Sequence, residues 1–88
     1  MLLCFAIFDH KAGVYNTPFF MRTKGEALRG FMDLVSDPQT SIAKYPEDFS
    51  LFQLSSFVEQ SGEFVDADDV LGDHPHRIAT ALDFVKKD

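Results

Sequence analysis

Seven consecutive apolar residues, Leu2-Leu3-Cys4-Phe5-Ala6-Ile7-Phe8, constrain what this chain can become more than any other feature. The run stops at Asp9-His10-Lys11, too short for a membrane span and without the basic leader or small-residue cleavage site of a signal peptide. Apolar residues with no polar alternation suit a strand buried on both faces, hence a central one. Such a strand needs a partner along each edge and a layer packed over it, and the rest of an 88-residue chain must supply them. Splitting so short a chain would leave pieces unable to bury enough apolar surface, so a single domain over residues 1–88 is expected. Ten phenylalanines and a hydrophobic content of 45% let burial offset conformational entropy without a disulfide or structural metal. The only cysteine, Cys4, lies inside the apolar run, where a thiol behaves as a small hydrophobe, and the chain suits a reducing cytoplasm.

The partners can be read onward. Asp9 to Gly13 is turn chemistry, with Gly13 available for a positive φ. Val14 to Met21 reads as the returning strand, placed at an edge or bulged because Pro18 has no amide hydrogen. Thr23-Lys24-Gly25-Glu26 has the spacing of a capping box and opens a helix to about Val35, with Leu28, Phe31, Met32 and Val35 as its apolar stripe. Ser36-Asp37-Pro38 ends it. Gln39 to Asp48 is a polar connection with room for one short strand or extended segment. Ser50 to Glu59 is a strand whose strict alternation puts Phe52, Leu54, Ser56 and Val58 on one face and Leu51, Gln53, Ser55 and Phe57 on the other. Gln60-Ser61-Gly62 turns into a short strand, Glu63-Phe64-Val65. After the acidic stretch from Asp66, Asp73 or His74 can cap a terminal helix carrying Ile78, Ala81, Leu82 and Val85, with Lys86 and Lys87 at its negative end. The expected fold is α+β: a small antiparallel sheet of about four strands in the order β-β-α-β-β-α, packed against one main helix, plus a C-terminal helix in the acidic 66–88 segment.

Charge and motifs narrow the chemistry. The net charge of −6 opposes sequence-independent binding to a polyanion. It is unevenly spread: residues 1–44 hold five cations against four carboxylates, a balance of +1, whereas residues 45–88 hold three against ten, a balance of −7. His74-Pro75-His76 beside Asp69 and Asp73 lacks the spacing of a zinc site and reads as a helix start. No spacing joins a nucleophile, a base and an orienting group, and the five glycines are dispersed rather than gathered in a phosphate loop, so neither an enzyme nor a cofactor is expected. The region that bears on binding is the more basic half. There Tyr15, Phe19 and Phe20 lie on or near the edge strand and Arg22, Lys24 and Arg29 follow, the mixture of stacking surface and positive charge used by single-stranded nucleic-acid binders. Against that, Phe19 and Phe20 point to opposite faces, so at least one belongs to the core, and three cations near a helix start are ordinary surface.

The segments Phe5-Ala6-Ile7-Phe8-Asp9, Asn16-Thr17-Pro18-Phe19-Phe20, Ala27 to Pro38 and, above all, Tyr45-Pro46-Glu47-Asp48-Phe49 at its distance from Asp37-Pro38 resemble a viral family. The chain is similar, over roughly residues 5–66, to the small nonstructural protein of gokushovirus-type microviruses, which are single-stranded DNA phages. The resemblance implies a non-virion protein of the host bacterial cytoplasm tied to phage DNA synthesis, an analogue of the factor that shifts replication toward single-stranded genome synthesis and packaging. It transfers nothing to the tail beyond Asp66. Tyr45-Pro46-Glu47-Asp48-Phe49 itself reads as a loop locked against the core by its aromatics, or as a partner-contact surface.

Two functions compete on this reading. One is a DNA-associated regulator whose edge strand and helix start present Tyr15, Phe19 or Phe20, Arg22, Lys24 and Arg29 to single-stranded DNA. The other is a protein-interaction module, without direct DNA binding, whose edge strand pairs with another copy or with a phage or host replication or packaging protein. A homo-oligomer fits either, and no membrane partner is expected.

Overall fold

The unbroken apolar run Leu2–Phe8 lies in strand Leu2–Asp9 (β1) and is met by burial of Cys4, Phe5, Ala6 and Ile7 in the centre of a sheet. The structure, a computed structural model, describes residues 1–66 and 76–85. Along one edge of β1 run Val14–Tyr15 (β2) and Phe19–Met21 (β3), both antiparallel, pairing Tyr15 with Phe8 and Phe20 with Cys4. The returning strand is therefore two short pieces on one edge, interrupted where Pro18 has no hydrogen to donate. The Asn16 amide still donates to the Ile7 carbonyl, 2.8 Å, and keeps the pieces in line. In the preceding turn Asp9 Oδ1 accepts from the amides of Lys11 and Ala12 at 3.0 and 3.2 Å, and Gly13 takes φ +74°.

Helix α1, Lys24–Ser36, starts at Thr23, whose Oγ1 accepts from the Glu26 amide at 3.1 Å. The Glu26 carboxylate meets the Thr23 hydroxyl, 3.2 Å, so the reciprocal half of the capping box is a side-chain contact. Ala27, Phe31 and Val35 are the buried residues, with Leu28 packed beside them. Met32, expected in the stripe, is 45% exposed. Ala27 takes its place because a methyl group lets the helix settle closer to the sheet with Phe31 at the centre of the contact.

The connection after Pro38 is not extended. Thr40 caps a short helix, Ser41–Lys44 (α2), accepting from the Ala43 amide at 3.1 Å, and Ile42 is buried. A 3-10 turn follows at Pro46–Asp48. Local capping by Thr40 and a proline at the first position of the turn outweigh what looks like a polar linker.

Strand β4, Phe49–Val58, lies along the other edge of β1. Its outer edge is shared by Glu63–Asp66 (β5), which pairs with residues 55–58, and His76–Thr80 (β6), which pairs with residues 50–53. The result is an α+β fold in which, among the described residues, six antiparallel strands form four rows, β2 with β3, β1, β4, and β5 with β6. The core of Phe5, Ile7, Phe31, Ile42, Phe49 and Leu51 lies between one sheet face and the helices.

Two expectations are corrected here. Cys4 faces Ser55 while Phe5 faces Gln53, so Leu54 is an extra residue, a β-bulge. Alternation changes phase at that point: Phe49, Leu51, Gln53 and Ser56 face the helix, and Ser50, Phe52, Ser55 and Phe57 face the other way. The C-terminal helix is replaced by β6 and a 3-10 turn, Ala81–Phe84, in which the Thr80 amide donates to Asp83 Oδ2 at 2.9 Å. The unfilled edge of β4 pairs with Arg77, Ala79 and Thr80, and Ile78 and Thr80 are strand formers, whereas a helix this short is marginal. Leu82 and Val85, two members of the expected helical stripe, are 54% and 41% exposed. The proposed cap at Asp73 or His74 and the terminal Lys86 and Lys87 lie outside the described residues. Among the described residues no helix is long and apolar enough to cross a membrane.

Candidate functional site

A sheet has two faces, and α1 covers only one. The register places Leu2, Cys4, Ala6 and Phe8 of β1 on the other, with Phe20 beside Cys4, Tyr15 beside Phe8, Phe52 beside Ala6, Phe57 beside Leu2 and Phe64 beside Phe57. These rings form two groups. At one end Phe8 meets Tyr15 and Phe52 at centroid distances of 4.7 and 6.1 Å, Tyr15 meets Phe52 at 5.6 Å, and His10 stands edge-on to Phe8 at 4.8 Å while its Nε2 lies 3.0 Å from Ser50 Oγ. At the other end Phe57 meets Phe64 at 5.1 Å and Phe20 at 6.3 Å. The tilted and edge-to-face arrangements are those that ring quadrupoles favour.

Between the groups the floor is made of the short side chains of Cys4, Ala6 and Ser55. The four residues from Cys4 to Phe8 set the flanking rows about 13 Å apart along β1. Burial holds the Cys4 thiol above its ordinary pKa, with a hydrogen bond to Ser55 pulling the other way. Tyr15, Phe20 and Phe64 are 39%, 44% and 61% exposed, so each group ends in rings open to solvent. That is an apolar platform rather than scattered surface residues.

The residues singled out from the sequence are not brought together. Tyr15 and Phe20 lie on the platform, but in different groups. Phe19 points to the helix side and stacks on Phe5 at 5.9 Å and 26°. Lys24 and Arg29 are exposed on α1, across the sheet from the platform. Arg22 leaves β3 and forms a two-pronged pair with Glu59, at 2.9 and 3.4 Å, and the N-terminal ammonium stands 3.9 Å from the same carboxylate. The hydrogen bond from Arg22 holds the Glu59 carboxyl below its usual range, and the Glu59 partner raises the guanidinium. The pair is therefore intact at neutral pH and lost only as acid protonates Glu59 below that range. Sequence reasoning missed Phe8, Phe52, Phe57 and Phe64 as platform members, and Arg77, which pairs with Phe52 from β6.

Glu59→Gln tests how far this pair withholds Arg22. The variant is expected to steepen the salt dependence of any single-strand binding by about 0.7 in log–log slope, one further phosphate contact. Repeating an anisotropy titration at several salt concentrations checks it, and an unchanged slope means that Arg22 does not reach the strand.

In the Tyr45-Pro46-Glu47-Asp48-Phe49 segment, Tyr45, Glu47, Asp48 and Phe49 line a cleft of about 520 Å³ with Asp9, Lys11 and Ser41. Only one of its aromatics anchors: Phe49 is buried, and Tyr45 is 55% exposed at the rim. The loop is tied to the first turn by the His10 amide donating to the Asp48 carbonyl at 2.7 Å. Among the described residues no group of three or more His, Cys, Asp or Glu side chains comes together in a metal-binding arrangement.

No curated protein and no solved structure matches the chain. A sequence profile described as the phage ORF5 protein does match, over residues 2–84, nearly the whole chain and every element described above. The chain belongs to the phage ORF5 protein family.

Proposed function

We propose that this phage protein is the non-virion, single-stranded-DNA-associated regulator that its resemblance to gokushovirus-type microviruses implies, acting in the host cytoplasm on the switch to genome synthesis and packaging. We place the strand on the open face of the sheet. The observation that carries this reading is the platform itself: two aromatic groups, each ending in solvent-exposed rings, on a face that α1 leaves bare. Every base has a π-face, so stacking is tolerant of sequence, as a genome-associated factor requires, and is worth about 1–3 kcal/mol per base. Antiparallel sheets with aromatics on the uncovered face are an established way to hold unpaired bases. On this reading the protein binds and releases, with no catalytic step and no cofactor.

The charges decide the character of that binding. With Arg22 held by Glu59 and Lys24 and Arg29 on the far layer, Arg77 is, among the described residues, a cation beside the platform. One or two phosphate contacts give a log–log salt slope of about −0.7 to −1.4, so affinity is expected to fall only about three- to sevenfold between 50 and 200 mM salt. The test is a fluorescence anisotropy titration of a labelled oligothymidine at low salt, then across that range. Absence of binding at about 100 µM protein removes the reading, since three stacked bases at about 2 kcal/mol each correspond to a Kd of tens of micromolar. The net charge of −6 favours the other reading, a protein-interaction module.

A further inference from the structure

We infer that His10 is a proton-gated phosphate contact at the Phe8–Tyr15–Phe52 end of the open sheet face, so that strand binding takes up a proton there. The inference rests on the strand reading above and adds to it the group that makes affinity depend on pH.

His10 follows the last residue of β1, and its ring stands edge-on to Phe8 at 4.8 Å, in the group that Phe8 forms with Tyr15 and Phe52. Its backbone is tied down by the amide donating to the Asp48 carbonyl at 2.7 Å, and its ring by Nε2 at 3.0 Å from Ser50 Oγ. Ser50 is 2% exposed, so the anchored nitrogen is the inner one, whereas His10 as a whole is exposed. Among the described residues Nδ1 has no hydrogen-bond partner. A neutral imidazole has one donor and one acceptor nitrogen, and an imidazolium has two donors. Protonation therefore leaves the anchor in place, with Nε2–H donating to Ser50 Oγ. It adds a charged N–H at Nδ1, on the side of the ring away from Ser50 and next to rings on which a base stacks.

Charge gives that proton its weight. The charged groups on the elements around the ring are Asp9 and Lys11 in its own turn, Glu47 and Asp48 in the Pro46–Asp48 turn, and Arg77 on β6. Tyr15 on β2 is the further titratable neighbour. Among the described residues none of these carboxylates forms an ion pair with the imidazole. Three carboxylates against two cations leave this end one positive charge short, and an imidazolium supplies it. A phosphate then meets Arg77 beside Phe52 and His10 beside Phe8. Phosphate and imidazolium favour each other, so proton and strand strengthen each other's binding by the same factor. Histidine changes charge between about pH 5 and 8, where phosphodiesters stay ionised. At the other end of the face the Arg22–Glu59 pair holds across that range, because Glu59 is kept below the usual carboxylate range.

Anisotropy titrations of oligothymidine with wild type and His10→Gln, at about pH 8 and about pH 5.5 and each across about 50 to 200 mM salt, test the inference. Glutamine keeps a donor for Ser50 Oγ without a charge, and far-UV circular dichroism at both pH values confirms the fold. For wild type the log–log salt slope is expected to steepen by about 0.7 at the lower pH. Affinity at about 50 mM salt is expected to rise about eightfold, the factor that this slope gives relative to 1 M salt. His10→Gln is expected to lose that increment while binding within about twofold of wild type at the higher pH. An equal response to pH in both proteins, or none in either, overturns the inference and leaves the strand reading standing. A gain in affinity without a steeper slope also overturns it, because the ring then acts through packing or a neutral hydrogen bond rather than on phosphate. No binding at either pH removes the strand reading and the inference with it.

Discussion

Phe31→Ala is expected to leave the protein largely unfolded at moderate temperature. Phe31 is 1% exposed at the centre of α1, and its ring meets Phe84 edge-on at 6.1 Å above the sheet. Truncating a buried Phe to Ala costs about 3–5 kcal/mol through lost transfer energy and an unfilled cavity. A domain of this size holds only about 5–15 kcal/mol in all, with small domains toward the lower end. The midpoint of thermal unfolding should fall by about 15–30 °C. Met32→Ala supplies the contrast: it lies one residue away and 45% exposed, and its cost should stay within about 0.5 kcal/mol. Circular dichroism melts of the two variants read the difference directly. Equal losses would mean that the helix presents a different face to the sheet.

The second large effect concerns the platform. Phe20→Ala combined with Phe64→Ala removes the two exposed rings of one aromatic group and is expected to weaken single-strand binding by about 30-fold or more, at about 1–3 kcal/mol for each lost stack. The fold should persist, since both rings are already in contact with water. Lys24→Ala and Arg29→Ala are expected to change affinity by less than about twofold because their helix lies across the sheet from the rings. Arg22→Ala should act as weakly while Glu59 occupies the guanidinium. Titrations of these variants under one salt condition rank the contributions. A reversed ranking, with the helix cations dominant and the rings neutral, would move the binding surface to the other layer.

That ranking differs from the one the sequence suggests, and the reason lies in particular residues. Arg22, Lys24 and Arg29 are neighbours along the chain, and proximity in sequence makes them look like one basic patch. The Arg22 partner is 37 residues away, and nothing near Arg22 announces Glu59. Phe52 and Phe57 are five apart, an odd interval that strict alternation assigns to opposite faces. The single extra residue at Leu54 brings them to the same one. The sequence puts Phe64 in a strand, but its place beside Phe57 and Phe20 needs the register of β5 on β4.

Interactions within a few residues were determined by the sequence alone. The apolar run had to become a buried strand, Gly13 a positive-φ turn residue, Thr23 a helix cap and Asp37-Pro38 a helix stop. In each case the competing conformations differ in the satisfaction of hydrogen bonds or sterics close by in the chain. Tertiary structure alone decided the phase of β4, the capture of residues 76–80 as an edge strand instead of a helix, and the gathering of two aromatic groups on the face away from α1. Those outcomes depend on which distant backbone edge is open to accept hydrogen bonds and on which side the helix settles. Both are properties of the assembled sheet rather than of any short segment.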